Sequence, residues 1–195
     1  MKDAIIKRLI AEAVDKRDLI YDVLGSQGTE DIYNGNFYID ENLINQSLRN
    51  VILNALYPYL RDYHVSFIDD HILISVEADI RQLGLLSLGY KMKMKEFYFG
   101  SKGHSFSLDY KEDVRSKGNM MQATIFKLFS AKQPLIEMAA HHLNNEGLRI
   151  TGDRILVDLD RIPQMQGIPK DLVIRWQGCE AGRLLLNFEF VTVVE

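Results

Sequence analysis

From His64 onward the apolar residues stop recurring at helical spacing and begin to recur at every second position. No other feature limits the fold of this chain as strongly. In His71–Ile80, Ile72, Ile74, Val76, Ala78 and Ile80 alternate with His71, Leu73, Ser75, Glu77 and Asp79, the pattern of a strand buried on one face. Val65 and Phe67 precede it across an Asp69-Asp70 turn, and Gly84 precedes a long run, LLSLGYKMKMKEFYF. The segment GSKGH then leads into SFSLDYKEDV, where Phe106, Leu108 and Tyr110 share a face. Four successive strands joined by short turns predict an antiparallel meander.

Helical periods flank this block. Residues 2–24 carry Ile6, Ile10, Ala13, Ile20 and Leu24 among charges of both signs, which predicts an amphipathic N-terminal helix that docks on its own domain or on a second copy. Gly25 ends it, and GSQGTEDIYNGN reads as a polar connector. The expected organisation is therefore 1–34 as helix and connector, and 35–195 as one domain. Within that domain Phe37, Tyr38 and Ile39 form a short apolar piece, and Asp40 is placed to cap a second helix running to about Leu56, ahead of Pro58. A third helical region spans about Met120 to Asn145, with Met121, Ile125, Leu128 and Phe129 as its first stripe and Pro134 placed to kink or divide it. Alternation returns at 148–159, 172–176 and 184–190. The predicted class is α+β, with helices covering one face of an antiparallel sheet.

Composition narrows the function classes. A chain of 195 residues needs no disulfide or metal to hold one core. Its formal charge of -4 gives no overall case for nucleic acid. No apolar run approaches the length of a membrane span, so stable membrane insertion is not expected. The first residues lack an apolar signal core, so a cytoplasmic location is expected, with an envelope location as the alternative if a signal segment preceded this sequence. Cys179, the one cysteine, cannot form an internal disulfide.

Motifs for catalysis are sparse. Glu137 with His141, and His142 with Glu146, share helical faces, but the HExxH spacing of a zinc site is absent. Cys179, in WQGCEAG, reads as an inert thiol at a hairpin turn, and GSKGHS matches no phosphate-binding loop. No catalytic residue, metal site or cofactor is assigned, and an enzyme is not expected. More informative is the run from Tyr90 to Lys95, where Lys91, Lys93 and Lys95 face one way and Tyr90, Met92 and Met94 the other. Such lysines guard a strand edge against pairing, or else meet an anionic head group above an adaptable apolar lining.

The order of elements resembles the tubular lipid-binding (TULIP) superfamily, in particular its small bacterial single-module members. The resemblance begins at NFYIDENLINQSLRNVI and continues through VSFIDDHILISVEADI, GYKMKMKEFYF and the helix near 120–145 with its closing strands, about residues 36–195. It implies a long curved antiparallel sheet wrapped around a long amphipathic helix, with an additional N-terminal helix. It further implies non-catalytic binding of a lipid or other long apolar ligand in the groove between helix and sheet. Residues at matching positions, implied to line that groove, are Ile44, Leu48, Ile52, Ile74, Val76, Met92, Met94, Ile125 and Phe129. The alternative is an interaction or scaffold protein with a closed core that forms a homodimer through its N-terminal helix.

Overall fold

The structure, a computed structural model, describes residues 27–81, 83–130, 134–143, 146–162 and 172–190. The helix expected at 2–24 lies outside them. Nine strands follow in chain order: β1 (Asn36–Asp40), β2 (Leu60–Ile68), β3 (His71–Ile80), β4 (Gly84–Gly100), β5 (Gly103–Ser116), β6 (Leu148–Thr151), β7 (Arg154–Asp158), β8 (Leu172–Glu180) and β9 (Arg183–Phe190). The helices are α1 (Thr29–Tyr33), α2 (Arg49–Ala55), α3 (Met120–Ser130) and α4 (Leu135–Leu143). The short α1 lies in the stretch that reads as a plain connector.

All nine strands join one curved antiparallel sheet, so the α+β class and the four-strand meander β2 to β5 are present. The long hairpin β4–β5 is its spine, at 17 and 14 residues. Along one edge of β4 two hairpins meet end to end. β3 pairs with the first half, from Ile80↔Gly84 to Ile72↔Met92, and β8 joins the far end at Phe99↔Ile174. The tips of the two hairpins are tied together by backbone bonds, Asp70 N–H to the Cys179 carbonyl (2.8 Å) and Gly182 N–H to the Phe67 carbonyl (3.0 Å). β9 and β1 extend the sheet beyond β8, and β7 and β6 extend it beyond β5. Lys91 lies where β4 is paired on both edges and so guards none, whereas Lys93 and Lys95 lie between the last pair with β3, at Met92, and the pair with β8, at Phe99.

The turns follow local chemistry. The β2–β3 turn carries Asp69 and Asp70 at positive φ (49° and 60°), and the β8–β9 turn carries Ala181 and Gly182 at positive φ (49° and 79°), as two-residue turns matching strand twist require. Asp40 accepts the Asn42 N–H at 2.8 Å, the cap its sequence position suggests. The segment that follows is a π turn at Leu43–Ser47 leading into α2.

That segment seals β2. Glu41, Asn45 and Arg49 recur every fourth residue, and their side chains reach Phe67, Val65 and Tyr63 in reverse order. The Glu41 carboxylate accepts the Phe67 N–H (3.2 Å), the Asn45 amide exchanges two bonds with Val65 (2.7 and 2.8 Å), and Arg49 donates to the Tyr63 carbonyl (3.3 Å). Four residues of helix advance about 6 Å and two of strand about 6.6 Å, so the two periods stay in step. Gln27 treats a second of the three outer strands similarly, exchanging two bonds with the backbone of Tyr38 in β1 (2.8 and 3.0 Å). Exposed ladder groups invite pairing with other chains, and these side chains occupy them.

The apolar face of the sheet carries three packed clusters. In the first, Leu83, Leu86 and Leu88 meet Phe126 of α3 and Leu135 of α4. In the second, Tyr63, Val65 and Phe67 meet Cys179, under Ile44 and Ile52. In the third, Met92, Leu108, Tyr110 and Ile155 pack with Ile136 of α4. The described residues of the region 120–143 form α3 up to Ser130 and α4 from Leu135, just after Pro134, whose missing N–H and fixed φ suit the first turn of a helix. α3 is also turned from its expected orientation: Phe126 is buried, whereas Met121 is 69% and Leu128 66% exposed. α4 is held at its start by Glu112 of β5, whose carboxylate accepts the N–H groups of Leu135 and Ile136 at 3.0 Å each. No described helix is long and apolar enough to cross a membrane.

Candidate functional site

The described helices cover part of the apolar face. Beneath them single side chains are fully enclosed, Leu86 at 0% and Phe67 at 1% exposure, while the inward residues of β3 are half-buried. Over β1, β9, β8 and the far end of β4, Phe37, Leu184, Leu186, Phe188, Ile174, Trp176, Phe97 and Phe99 project to the same side and all remain half-buried. Two bulges shape this sector. One in β4, between Met94 and Glu96, transfers the apolar face from Met92 and Met94 to Phe97 and Phe99; one in β8 lies between Trp176 and Gly178. Bulges increase local twist, and here β4 and β8 share the single pair Phe99↔Ile174 before they separate.

Between the separating strands lies an open depression of about 500 Å³, lined by apolar residues (Met94, Phe97, Phe99, Ile174, Trp176) and in equal part by polar groups, among them Lys95, Tyr98, Ser101 and Arg175. Its aromatics form a contiguous group, with Phe97 6.5 Å from Phe99, 6.4 Å from Phe106 and 6.3 Å from Trp176 between ring centres. Arg175 is paired with Glu189, and Lys95 lies 3.8 Å from Asp109.

At the end of the β4–β5 hairpin a histidine closes this group. His104 donates its backbone N–H to one Asp160 carboxylate oxygen (2.8 Å) and shares its Nδ1 with the other (2.7 Å), while its ring meets Phe99 edge-on at 4.3 Å. The His104 hydrogen bonds hold the Asp160 carboxyl below the usual carboxylate range. Nε2 of His104 is buried and has no hydrogen-bond partner among the described residues. A carboxylate-oriented histidine is half of a proton-transfer arrangement, but the working nitrogen must reach a reacting group. Here the pair fastens the turn at Leu159–Arg161 to the hairpin. Separation by 56 residues gives this contact no local signature in the sequence.

The groove residues expected from the resemblance fall across all three clusters. Ile44 and Ile52 pack on the second, Ile125 on the first, and Met92 is buried in the third. Ile74 lies between the second and third, Val76 between the first and second, and Leu48 is half-buried outside all of them. Met94 packs at the margin of the third cluster and lines the depression. The side chain of Phe129 lies outside the described set, as do those of His141 and His142. The residues grouped here are instead Phe97, Phe99, Phe106, Ile174 and Trp176, and the adjacent polar pair Lys95-Glu96 is the sequence signal for the bulge that gathers them.

Among the described residues no three His, Cys, Asp or Glu side chains converge as a metal site requires. Cys179 lies on β8, just ahead of the turn, and is buried instead of exposed there; burial, aided by the charge of Asp70, pushes its thiol up to about 11. Tyr90 is likewise raised, by burial and by Glu112 beside it.

No family model, curated protein or solved structure matches this chain.

Proposed function

We propose that this chain is a non-catalytic binding protein for a lipid or similar long apolar ligand, which lies along the uncovered half of the apolar face with one end in the depression between β4 and β8. The observation that carries this reading is the aromatic-lined hollow of about 500 Å³ on an apolar surface the described helices leave open. Ligand sites for small molecules are typically concave, mostly apolar and of this size, with a few polar groups at the border. Burial of each methylene contributes about 0.8 kcal/mol, so an acyl chain needs no strong polar anchor. In this reading the curved sheet wraps around the helices of the 120–143 region, and the ligand occupies the length they leave free. The resemblance of the element order to tubular lipid-binding modules supports the same class of ligand.

Trp176 is the one tryptophan of the chain and borders the hollow, which makes its fluorescence a direct reporter. Titration with a brominated fatty acid is expected to quench it saturably, and Phe97→Glu to weaken binding by about tenfold or more. Leu88→Ala, a change in the first cluster, controls for lost stability and is expected to leave quenching intact. Native mass spectrometry of protein taken directly from cells then identifies the bound species. The absence of quenching by fatty acids and phospholipids, together with a bare protein in the mass spectrum, would sink the reading.

A further inference from the structure

On the opposite, polar face of the sheet, over β2 to β5, is a second open depression of about 440 Å³. Two cross-strand rows floor it. One runs His64, Ser75, Gly89, Asp113 and the next runs Ser66, Leu73, Lys91, Lys111, each residue directly opposite its neighbour. The dent is centred on Gly89, in the interior of a strand paired on both sides. Its φ is not positive, and a Cβ added there would meet only Asp113 atoms, at 3.9 and 4.0 Å. Packing does not require glycine, although glycine in a strand interior weakens it and often marks close approach by another molecule.

The second feature is the pair Lys91↔Lys111. Like charges directly opposite one another on a sheet face destabilise it. The other lysines projecting from β4 on this face have carboxylate partners, Lys93 with Asp70 at 3.3 Å and Lys95 with Asp109 at 3.8 Å. Lys91 and Lys111 have no described carboxylate within ion-pair distance, and Asp113, the acidic side chain on the floor, is engaged by Arg115 at 2.9 Å. The hydroxyl of Ser66 lies 3.2 Å from Nε2 of His64, and the Ser75 hydroxyl faces the same hollow.

We propose that this hollow binds a phosphomonoester. Two ammonium groups with three donors each match a dianion in charge and in hydrogen-bonding capacity, and the hydroxyls add neutral donors. A phosphomonoester carries about -1.5 to -2 charges near neutral pH, which a carboxylate does not. Leu73 beside Lys91 and the bare backbone of Gly89 leave an apolar bed for the organic part of the ester. The bound dianion would relieve the repulsion that the apposed lysines create.

The test is thermal unfolding and calorimetric titration of the full chain with inorganic phosphate and with glycerol phosphate, alongside flotation with vesicles of phosphatidylcholine with or without phosphatidic acid. Both soluble probes are expected to raise the melting temperature, with binding weakened about tenfold or more in Lys91→Gln and in Lys111→Gln. In phosphate-free buffer Lys111→Gln is expected to melt no lower than the wild type, because the variant removes a repulsion. Gly89→Leu fills the dent and is expected to abolish the response. Flotation with phosphatidic acid vesicles plus a response to glycerol phosphate assigns the phosphomonoester itself, and flotation alone assigns a lipid head group as its source. No response to either source, or a response that survives both lysine changes together, overturns the proposal. The hollow is on the face opposite the aromatic depression, so a failed fatty-acid titration does not bear on this outcome.

Discussion

The two halves of the sheet use one apolar face differently. Over β2 to β5, under α2, α3 and α4, single side chains reach full enclosure, Leu86 at 0% and Phe67 at 1% exposure, among half-buried neighbours on β3. Over β1, β9, β8 and the end of β4 the same kind of side chain, aromatic or branched aliphatic, remains half-buried. Both halves have satisfied outer strands, through Asn45 on β2 and Gln27 on β1. Backbone satisfaction and side-chain burial are therefore separate achievements in this molecule.

Mutations break or sharpen that contrast. The largest expected effect is Leu86→Ala, at about 3 to 5 kcal/mol, because a fully enclosed side chain leaves a cavity that its neighbours cannot fill. Leu186→Ala, in the other half, is expected to cost less, about 1 to 2 kcal/mol, since part of its surface already meets solvent. Urea unfolding measures both, and equal losses would show that the second half is covered as well as the first.

Glu112→Ala comes next. It frees the N–H groups of Leu135 and Ile136 at the start of α4, and an expected cost of about 2 kcal/mol follows from losing two bonds to a charged acceptor. Amide exchange should then rise in α4 before it rises in β8. Asn45→Ala removes both bonds to Val65 and is expected to cost about 1.5 kcal/mol, with greater self-association by light scattering as the strand edge opens.

The smallest effects concern titration. Asp160 is held below its ordinary 3.8 by the His104 hydrogen bonds. A depressed carboxyl stabilises above its unfolded value and loses that contribution as pH falls through its folded value. The melting-temperature difference between wild type and Asp160→Asn should accordingly shrink on acidification below about pH 3.8, and a constant difference would remove His104 as its cause. Cys179, pushed up to about 11 by burial, should react with a thiol reagent slowly in the native protein and rapidly in urea.

Much of this was legible in the chain itself. Alternation located the four-strand meander, Asp69-Asp70 marked its first turn, Asp40 its helix cap and Pro134 the division between α3 and α4. The spacing of Glu41, Asn45 and Arg49, and the reciprocal Asn119 and Gln122 bonds at the start of α3 (2.9 Å each), also stand in plain sequence, though the first has meaning only once β2 lies beside it. The candidate site was less legible. Met92 and Met94 share a face by alternation, yet the bulge after Met94 passes that face to Phe97 and Phe99, so Met92 is enclosed and Met94 meets the hollow.

Sequence by itself determined which segments are strands, where they turn and which side of each is apolar, because those properties depend on neighbours two to four residues away. Tertiary structure alone decided that the β8–β9 hairpin meets the β2–β3 hairpin along one edge of β4, that His104 finds Asp160, and which part of the face the described helices cover. These are contacts between distant residues, selected by which apolar surfaces pack together at least cost in chain entropy, and no local period records that choice.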